Sequence, residues 1–266
     1  MNLIDGKALA AKIREEVKND VKASGQHALL KVLLVGDDPA SRLYVDLKKK
    51  AGLEVGIDVS VEHASATTSQ STLEDLLDEW NANPSVTAIL IQVPLPQAFT
   101  IDELIKHISP EKDADGFHPG NPNIISPLHE GVLRLIAETP IKLPGSQGVI
   151  IANSDIFAKP LERLLTIAGV SIDIMSPDDI NKTLLADADM VISAIGRPHF
   201  LHASLLKDGA VLIDIGTSRQ DGKTLGDFDR ESIQKTESWL TPVPGGVGPM
   251  TVALLLKNVL RLATLR

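Results

Sequence analysis

The sequence has no cysteine, few aromatic residues and no long apolar run, and each absence excludes a class of protein or site. Without cysteine there are no disulfides, thiolate metal sites or thiol catalysis, so any chemistry uses oxygen and nitrogen groups, and no metal site is predicted. Aromatic residues make up 3% of the chain, too few for a base-stacking platform. No window approaches about 18 uninterrupted apolar residues, and the N-terminus carries no secretion signal. We therefore expect a cytoplasmic protein that does not bind a membrane.

The charge balance is acidic, with 35 Asp and Glu against 26 Lys and Arg and a net charge of -9. This argues against general nucleic-acid binding, because neutralising phosphates needs a basic face. The densest basic group is Lys48, Lys49 and Lys50, a pattern that is also typical of a solvated helix face. A hydrophobic content of 43% is ample for a buried core. The expected partner is therefore a small molecule.

Helical and strand patterns alternate along the chain with short turns, which is typical of parallel α/β units. A polar stretch containing proline and asparagine runs through Asn123 and indicates a domain junction, after which a second α/β series begins. Capping boxes are predicted at Ser71 to Glu74 and at Thr100 to Glu103. Strands are predicted at 29–35, 58–61, 86–91, 149–152, 170–175, 190–194 and 211–215, and helices at 8–21, 41–51, 73–80, 159–168 and 250–263.

Tyr44 and Lys48 are four residues apart on a predicted helix, so their side chains can lie on one face. This spacing suits a lysine held beside a phenol for proton transfer, and Lys49 and Lys50 could lower the Lys48 pKa by like-charge repulsion. Any amphipathic helix can carry such a pair, so the spacing alone does not assign chemistry.

Three further segments follow predicted strands or precede a helix, where α/β sheets expose their sites. Gln92 follows a buried strand and leads into two prolines, which also fits an ordinary strand exit. Asp113 and Asp115 lie in a polar loop that could equally be a linker. The run from Pro244 to Pro249 contains glycines that let backbone approach a flat ligand, and prolines on both sides favour a fixed shape over a flexible turn.

Taken together, these segments resemble the methylenetetrahydrofolate dehydrogenase/cyclohydrolase family over nearly the whole chain. The motifs that carry the resemblance are Tyr44-x-x-x-Lys48, Gln92-Val93-Pro94-Leu95-Pro96, Lys112-Asp113-Ala114-Asp115-Gly116-Phe117-His118-Pro119 and Thr241-Pro242-Val243-Pro244-Gly245-Gly246-Val247-Gly248-Pro249-Met250-Thr251. The resemblance implies two α/β domains flanking a folate cleft, with the C-terminal helix returning to the first. Residues 1–123 and 249–266 would form the folate-binding catalytic domain, and 124–248 a Rossmann-like NAD(P)-binding domain. It also implies a homodimer through the cofactor domain.

The family's roles can be assigned to matching residues of this chain. Lys48 would be the central catalytic group and Tyr44 its helper. Gln92 would tune Lys48 without adding a negative charge, and Asp115 would anchor the pterin ring. The remaining tetrahydrofolate contacts implied are Ile91, Val93, Pro244, Gly245, Gly246, Val247 and Gly248. The implied reactions are oxidation of 5,10-methylenetetrahydrofolate with NADP, then hydrolysis of the methenyl product to 10-formyltetrahydrofolate.

The cofactor half departs from the family pattern. Residues implied to bind the dinucleotide are Ala152, Asn153, Ser154, Lys159, Pro160, Ser176 and Thr217. Two glycines of the family pattern are Ala152 and Ala158 here, and the added methyl groups could push the dinucleotide outward. The loop after the next strand carries Asp178 and Asp179, which suit a free ribose 2′-hydroxyl or simply cap the following segment.

A third departure lies near the domain junction, where Ser126-Pro127-Leu128-His129 replaces a Pro-Cys-Thr-Pro-like stretch. These departures leave alternatives to the leading interpretation. One is a cyclohydrolase whose dehydrogenase step is impaired or uses NAD, and another is a non-catalytic folate-binding paralogue. Retention of Lys48 argues against the paralogue, because mere binding does not need the lysine.

Overall fold

The computed structural model describes residues 1–118, 120–121 and 124–265. The end of the Asp113 motif at Pro119 and the predicted domain boundary at Asn123 lie outside the described residues. The strands are β1 (Asn2–Leu3), β2 (Leu29–Val35), β3 (Asp58–Ala64), β4 (Ala88–Ile91), β5 (Gln147–Ala152), β6 (Ser171–Met175), β7 (Met190–Ala194), β8 (Val211–Asp214), β9 (Ser218–Gln220), β10 (Lys223–Leu225) and β11 (Trp239–Leu240). The α-helices are α1 (Gly6–Ser24), α2 (Pro39–Val55), α3 (Gln70–Ala82), α4 (Ile101–Leu104), α5 (Pro127–Ala137), α6 (Asp155–Ile167), α7 (Lys182–Asp187), α8 (Arg230–Ile233) and α9 (Val247–Thr264).

The chain divides into two compact units. The Lys48 unit comprises Ala10–Pro127 with Val252–Arg266, and the Ser154 unit comprises Met1–Leu9 with Leu128–Thr251. The sequence prediction grouped residues 1–9 with the Lys48 unit. In the structure β1 pairs in parallel with β11, with Asn2 opposite Trp239, so the first residues join the sheet of the Ser154 unit.

The Lys48 unit contains a three-stranded parallel sheet in the order β3-β2-β4. All four residues of β4 are buried, as expected for a strand covered on both faces. Helix α3 buries Leu73, Leu77 and Trp80 in the same core as Ile89. Because the strands run parallel, the carboxyl ends of β2 and β4 meet at one edge of the sheet.

The Ser154 unit contains a six-stranded sheet in the order β1-β11-β8-β7-β5-β6, whose neighbouring strands are all parallel. Strand β6 lies on one side of β5 and β7 on the other, so the strand order reverses at β5. In open α/β sheets, ligands bind at the carboxyl end of such a switch point. The predicted α/β fold class, with a Rossmann-like second unit, is confirmed.

Both predicted capping boxes are wrong in detail. The N-cap of α3 is Ser69, whose hydroxyl oxygen accepts from the Thr72 amide, and Ser71 lies inside the helix. The extended backbone of Ser69 places it outside the helix and lets its side chain turn back onto the first turn. Thr100 precedes α4 but forms no side-chain cap hydrogen bond.

All five predicted helices begin two to four residues earlier in the structure than predicted. Helix α6 begins at Asp155 rather than Lys159, because the Ser154 hydroxyl oxygen caps it by accepting from the Ile156 amide at 3.2 Å. Helix α9 begins at Val247 rather than Met250.

By length and a mean hydropathy of 1.2, α9 could cross a membrane, yet 61% of it is buried inside the protein. Such burial is also what a core helix shows.

Candidate active site

Lys48 and Gln92 form a hydrogen-bonded pair in the Lys48 unit. Helix α2 starts after the Asp38 carboxylate, which accepts from the Ser41 amide at 2.7 Å, and it carries Lys48 toward the end of β4. The Lys48 Nζ donates to Gln92 Oε1 at 2.7 Å. The Gln92 Nε2 donates to the Val93 carbonyl oxygen at 2.5 Å, which orients the amide. Gln92 is 7% exposed, and Lys48 is partly buried.

Asp115 reaches the same edge because its loop runs beside β4. Asp113 forms an isolated parallel bridge with Ile89 of β4, which holds the chain against this strand two residues before Asp115. The buried Asp113 carboxylate accepts from the amides of Asp115 at 3.0 Å, Gly116 at 3.1 Å and His118 at 2.7 Å. Asp113 therefore orders the loop that presents Asp115.

The charges at this edge act on each other. Burial lowers the pKa of Lys48, and the Asp115 charge opposes this by raising it. Burial raises the pKa of Asp115 to about 6, with Lys48 pulling in the opposite direction. Burial also raises the pKa of Tyr44, so its phenol stays protonated at neutral pH. The expectation that Lys49 and Lys50 lower the Lys48 pKa is wrong, since desolvation is the cause and both neighbours are exposed.

The arrangement can move a proton. Desolvation favours the neutral amine of a lysine, which can accept a proton and then return it. Gln92 accepts one hydrogen bond from Nζ without contributing a charge, so it favours the ammonium form of Lys48 less than a carboxylate in its place would. The structure thus brings together three of the predicted groups, Lys48, Gln92 and Asp115, and Tyr44 lies on the same helix one turn before Lys48.

Sequence reasoning missed Asn258 of α9. Its Nδ2 donates to the carbonyl oxygens of Ala114 and Ile125, each at 3.0 Å, and the residue is buried. The Asn258 amide therefore fixes the Asp115 loop from a helix 144 residues away in sequence. No local pattern signals such a contact. The role of Asp113 was detectable, because an aspartate two or three residues before amide donors is typical of an Asx turn.

The predicted contact segment from Pro244 to Gly248 lies in the Ser154 unit and has a fixed backbone. Its first peptide bond, Val243–Pro244, is cis, and Gly245 has a φ of 115° that only glycine adopts readily. A methyl group on Gly6 would lie 2.1 Å from the Gly246 carbonyl oxygen, so the start of α1 packs closely on this segment. Val247 and Gly248 belong to the first turn of α9.

The predicted dinucleotide residues gather at the carboxyl end of β5. Ser154 caps α6, and Asn153 donates to the Ile195 carbonyl oxygen at 2.9 Å, joining the ends of β5 and β7. Ala158 is fully buried and Ala152 nearly so, so neither methyl group stands out at the edge that a dinucleotide would contact. Lys159 pairs with Asp155 at 3.1 Å, and Pro160 lies exposed within α6. The steric objection raised by the two alanines is therefore weak.

The loop after β6 is less negative than the sequence indicates. The Ser176 hydroxyl accepts from the Asp178 amide at 3.3 Å, and Asp178 Oδ1 accepts from Arg197 Nη2 at 2.7 Å. Sequence reasoning missed Arg197, although its place just after β7 is where α/β sheets present ligand-binding residues. Thr217 follows β8, and its neighbour Ser218 donates from Oγ to the Gly196 carbonyl oxygen at 2.6 Å.

A buried carboxylate holds the end of β7 in place. Asp227 accepts from the Ser193 hydroxyl at 2.7 Å and from the amides of Ile195 at 3.0 Å and Arg197 at 2.8 Å. Asp214 in turn accepts from the Asp227 amide at 3.0 Å, and burial together with the Asp227 charge raises the Asp214 pKa to about 7. Among the described residues, no cluster of three or more His, Asp and Glu is arranged to hold a metal.

Known proteins resemble both units. Residues 4–115 match the family model of the tetrahydrofolate dehydrogenase/cyclohydrolase catalytic domain, and residues 127–266 match that of the NAD(P)-binding domain. The chain belongs to the tetrahydrofolate dehydrogenase/cyclohydrolase family. Among members, the bifunctional protein FolD of Campylobacter hominis is 42% identical over 99% of this chain and 97% of its own length. That of Lactococcus lactis subsp. cremoris is 40% identical over 99% and 97%.

Solved structures of family members have the same fold as this chain. The bifunctional FolD of Campylobacter jejuni superposes with a TM-score of 0.94 at 38% identity, covering 100% of this chain and 99% of that one. The Trypanosoma brucei enzyme, solved with NADP and an inhibitor, gives a TM-score of 0.92 at 29% identity over 98% and 97%. The resemblance found from the motifs is thus confirmed.

Proposed function

We propose that the protein oxidises 5,10-methylenetetrahydrofolate to 5,10-methenyltetrahydrofolate with NADP and then hydrolyses the methenyl product to 10-formyltetrahydrofolate. The observation that carries the proposal is the partly buried Lys48–Gln92 pair with Asp115 acting on the charge of Lys48. Full-length similarity to bifunctional FolD proteins supports both activities in one chain. We further propose a cytoplasmic homodimer, on family grounds.

In the hydrolytic step, Lys48 moves the proton. Its neutral amine takes one proton from the water that adds to the methenyl carbon, and the resulting ammonium returns a proton to the folate nitrogen that leaves. As that carbon–nitrogen bond breaks, the hydroxyl of the adduct loses its remaining proton to solvent and becomes the formyl carbonyl. Gln92 keeps Nζ in place through the 2.7 Å hydrogen bond. Asp115 anchors the pterin ring, and Tyr44 contacts the folate from the same face of α2 as Lys48. Ile91 and Val93 supply further contacts, and the resemblance to the family assigns the rest to the segment from Pro244 to Gly248.

In the oxidative step, NADP accepts a hydride from the methylene carbon, and the protein supplies binding and alignment. The capped N-terminus of α6 at the switch point suits a pyrophosphate, because its amides and helix dipole favour negative charge. Asn153 and Ser154 border this position, with Ser176 and Thr217 on the neighbouring loops. The described residues therefore fit a dinucleotide.

The two alternatives have less support. A cyclohydrolase with an impaired or NAD-dependent dehydrogenase rested on Ala152, Ala158 and the carboxylates after β6. The alanines are buried and Asp178 is paired with Arg197, so both grounds are weakened. A non-catalytic paralogue has no use for a buried lysine whose pKa is lowered.

Two assays on the native protein test the proposal. Methylenetetrahydrofolate is supplied with NADP or with NAD while formation of the reduced cofactor is followed, and methenyltetrahydrofolate is supplied alone while its absorbance decays. We expect both reactions to be catalysed and NADP to be preferred. No turnover of either folate would overturn the proposed function, and a preference for NAD would overturn its cofactor assignment.

A further inference from the structure

Arg197 and Asp178 form an ion pair across the switch point of the Ser154 unit. Arg197 follows β7 and Asp178 follows β6, and these two strands flank β5 on opposite sides. The 2.7 Å contact between Arg197 Nη2 and Asp178 Oδ1 therefore spans the carboxyl end of β5, where α6 begins. In doubly wound folds the loop after the second strand lies beside the adenine ribose.

Arg197 is held at its backbone and at its side chain. Its backbone amide donates to the buried Asp227 carboxylate at 2.8 Å, which fixes the position of the backbone. Its guanidinium carbon lies 5.7 Å from the centre of the Phe200 ring, a contact that restricts the side chain before any ligand binds and so lowers the entropy lost on binding.

The ion pair with Asp178 is easily exchanged. The two side chains are 43% and 75% exposed, and an exposed pair of this kind is worth little because water solvates both charges. A phosphate dianion binds a guanidinium through two parallel hydrogen bonds and carries more charge than a carboxylate. A released Asp178 carboxylate would remain solvated, so its displacement costs little.

We propose that Arg197 is the cationic contact for the 2′-phosphate of the nucleotide, and that Asp178 occupies the guanidinium until the phosphate displaces it. The inference rests on the proposed function, whose cofactor preference it assigns to one residue. Lys159 is a weaker candidate, because it sits on the second turn of α6 and is paired with Asp155 of the same helix. Asp178 thus acts as a competitor of the phosphate rather than as a ligand of the ribose.

The test compares 2′,5′-ADP, which carries the 2′-phosphate, with 5′-AMP, which has a free 2′-hydroxyl, by calorimetric titration of the full chain. The variants are Arg197→Met, Arg197→Lys and Asp178→Asn. Lys207→Met is the matched control. Lys207 forms a similar 2.7 Å pair with Asp189, which directly precedes β7 and so lies at the amino end of that strand, away from the carboxyl end where Arg197 lies.

We expect Arg197→Met to weaken 2′,5′-ADP binding about ten- to a hundredfold and to leave 5′-AMP unchanged. Arg197→Lys should fall in between, because it keeps the charge and loses the paired geometry. Asp178→Asn should tighten 2′,5′-ADP binding about two- to fivefold, as expected for loss of a weak competitor. The control should bind both probes as the native protein does.

Other results would overturn the inference. If Arg197→Met weakens the binding of 2′,5′-ADP and of 5′-AMP equally, Arg197 has a structural role instead. If Asp178→Asn weakens the binding of 5′-AMP, Asp178 is a ligand of the ribose. If the native protein binds 2′,5′-ADP and Arg197→Met binds it equally well, this inference alone fails. If the native protein binds neither probe, the cofactor half of the proposed function fails with it.

Discussion

The reactivity of Lys48 is set by the groups around its amine rather than by the lysine itself. Burial favours the neutral amine, and the Asp115 charge favours the ammonium. Gln92 accepts a hydrogen bond at 2.7 Å and adds no charge. The population of neutral Lys48 at a given pH therefore depends on the balance between desolvation and one carboxylate.

Replacing Asp115 with asparagine should shift the pH profile of the hydrolytic reaction. Above about pH 6 the Asp115 carboxylate is ionised and raises the Lys48 pKa, so its removal lowers that pKa. Activity that needs neutral Lys48 is lost as the pH falls through the Lys48 pKa, and this acidic limb should move to lower pH in Asp115→Asn. The measurement is kcat for methenyltetrahydrofolate hydrolysis across pH, which reports the enzyme–substrate complex.

The control for this experiment is Asp46→Asn, an exposed carboxylate on the same helix α2 as Lys48. This control should leave the acidic limb of the pH profile unchanged. An acidic limb that stays at the same pH in Asp115→Asn, or moves to higher pH, would contradict the proposed electrostatic relation between Asp115 and Lys48.

At the scale of elements, the loop that carries Asp115 is ordered from inside by the buried side chain of Asp113. The three amides that Asp113 accepts from belong to Asp115, Gly116 and His118, and the carboxylate is 1% exposed. A methyl group on Gly116 would meet the Ser126 amide nitrogen at 2.9 Å, and its φ is 69°, so the loop is also closely packed. Its shape therefore rests on hydrogen bonds to a buried carboxylate and on close packing.

Asp113→Ala should reduce the free energy of unfolding by about 2–4 kcal/mol, because it leaves three partly buried amide donors without their acceptor. Urea denaturation of both proteins gives this difference. Glu111→Ala, which removes an exposed carboxylate two residues earlier, should change it by less than about 0.5 kcal/mol. Equal stability of Asp113→Ala and the native protein would show that the loop is held by other contacts.

Regular elements were predictable where apolar spacing decides them. The predicted strands 29–35 and 190–194 match β2 and β7, and the helix predicted at 8–21 is the centre of α1. Helix starts were less predictable, because neighbouring serines compete for the cap, as Ser69 and Ser71 do before α3. Local sequence does not reveal which one adopts the extended backbone.

At the scale of the whole molecule, the chain combines a proton-transfer site in one unit with a dinucleotide fold in the other. The motifs predicted the first well, since Lys48 and Gln92 pair as expected. They did not predict contacts between distant parts of the sequence. Arg197 pairs with Asp178 from 19 residues away in the Ser154 unit, and Asn258 fixes a loop 144 residues away in the Lys48 unit. Such contacts are set by the order of strands and the return of α9, which no short motif contains.

The central claim is that Lys48 carries the hydrolytic proton transfer. It is tested most directly by the decay of methenyltetrahydrofolate absorbance with the native protein, Lys48→Met and Lys49→Met, after subtraction of the uncatalysed rate. Methionine preserves the length of the side chain and removes the amine. Lys49 is the exposed neighbour on α2 and serves as the control.

We predict that Lys48→Met lowers kcat at least about a hundredfold, the usual contribution of a positioned general acid or base, while Lys49→Met stays near the native rate. Binding of 2′,5′-ADP should persist in Lys48→Met, which would show that the Ser154 unit remains folded. A Lys48→Met protein that binds this probe and hydrolyses methenyltetrahydrofolate at the native rate would contradict the account.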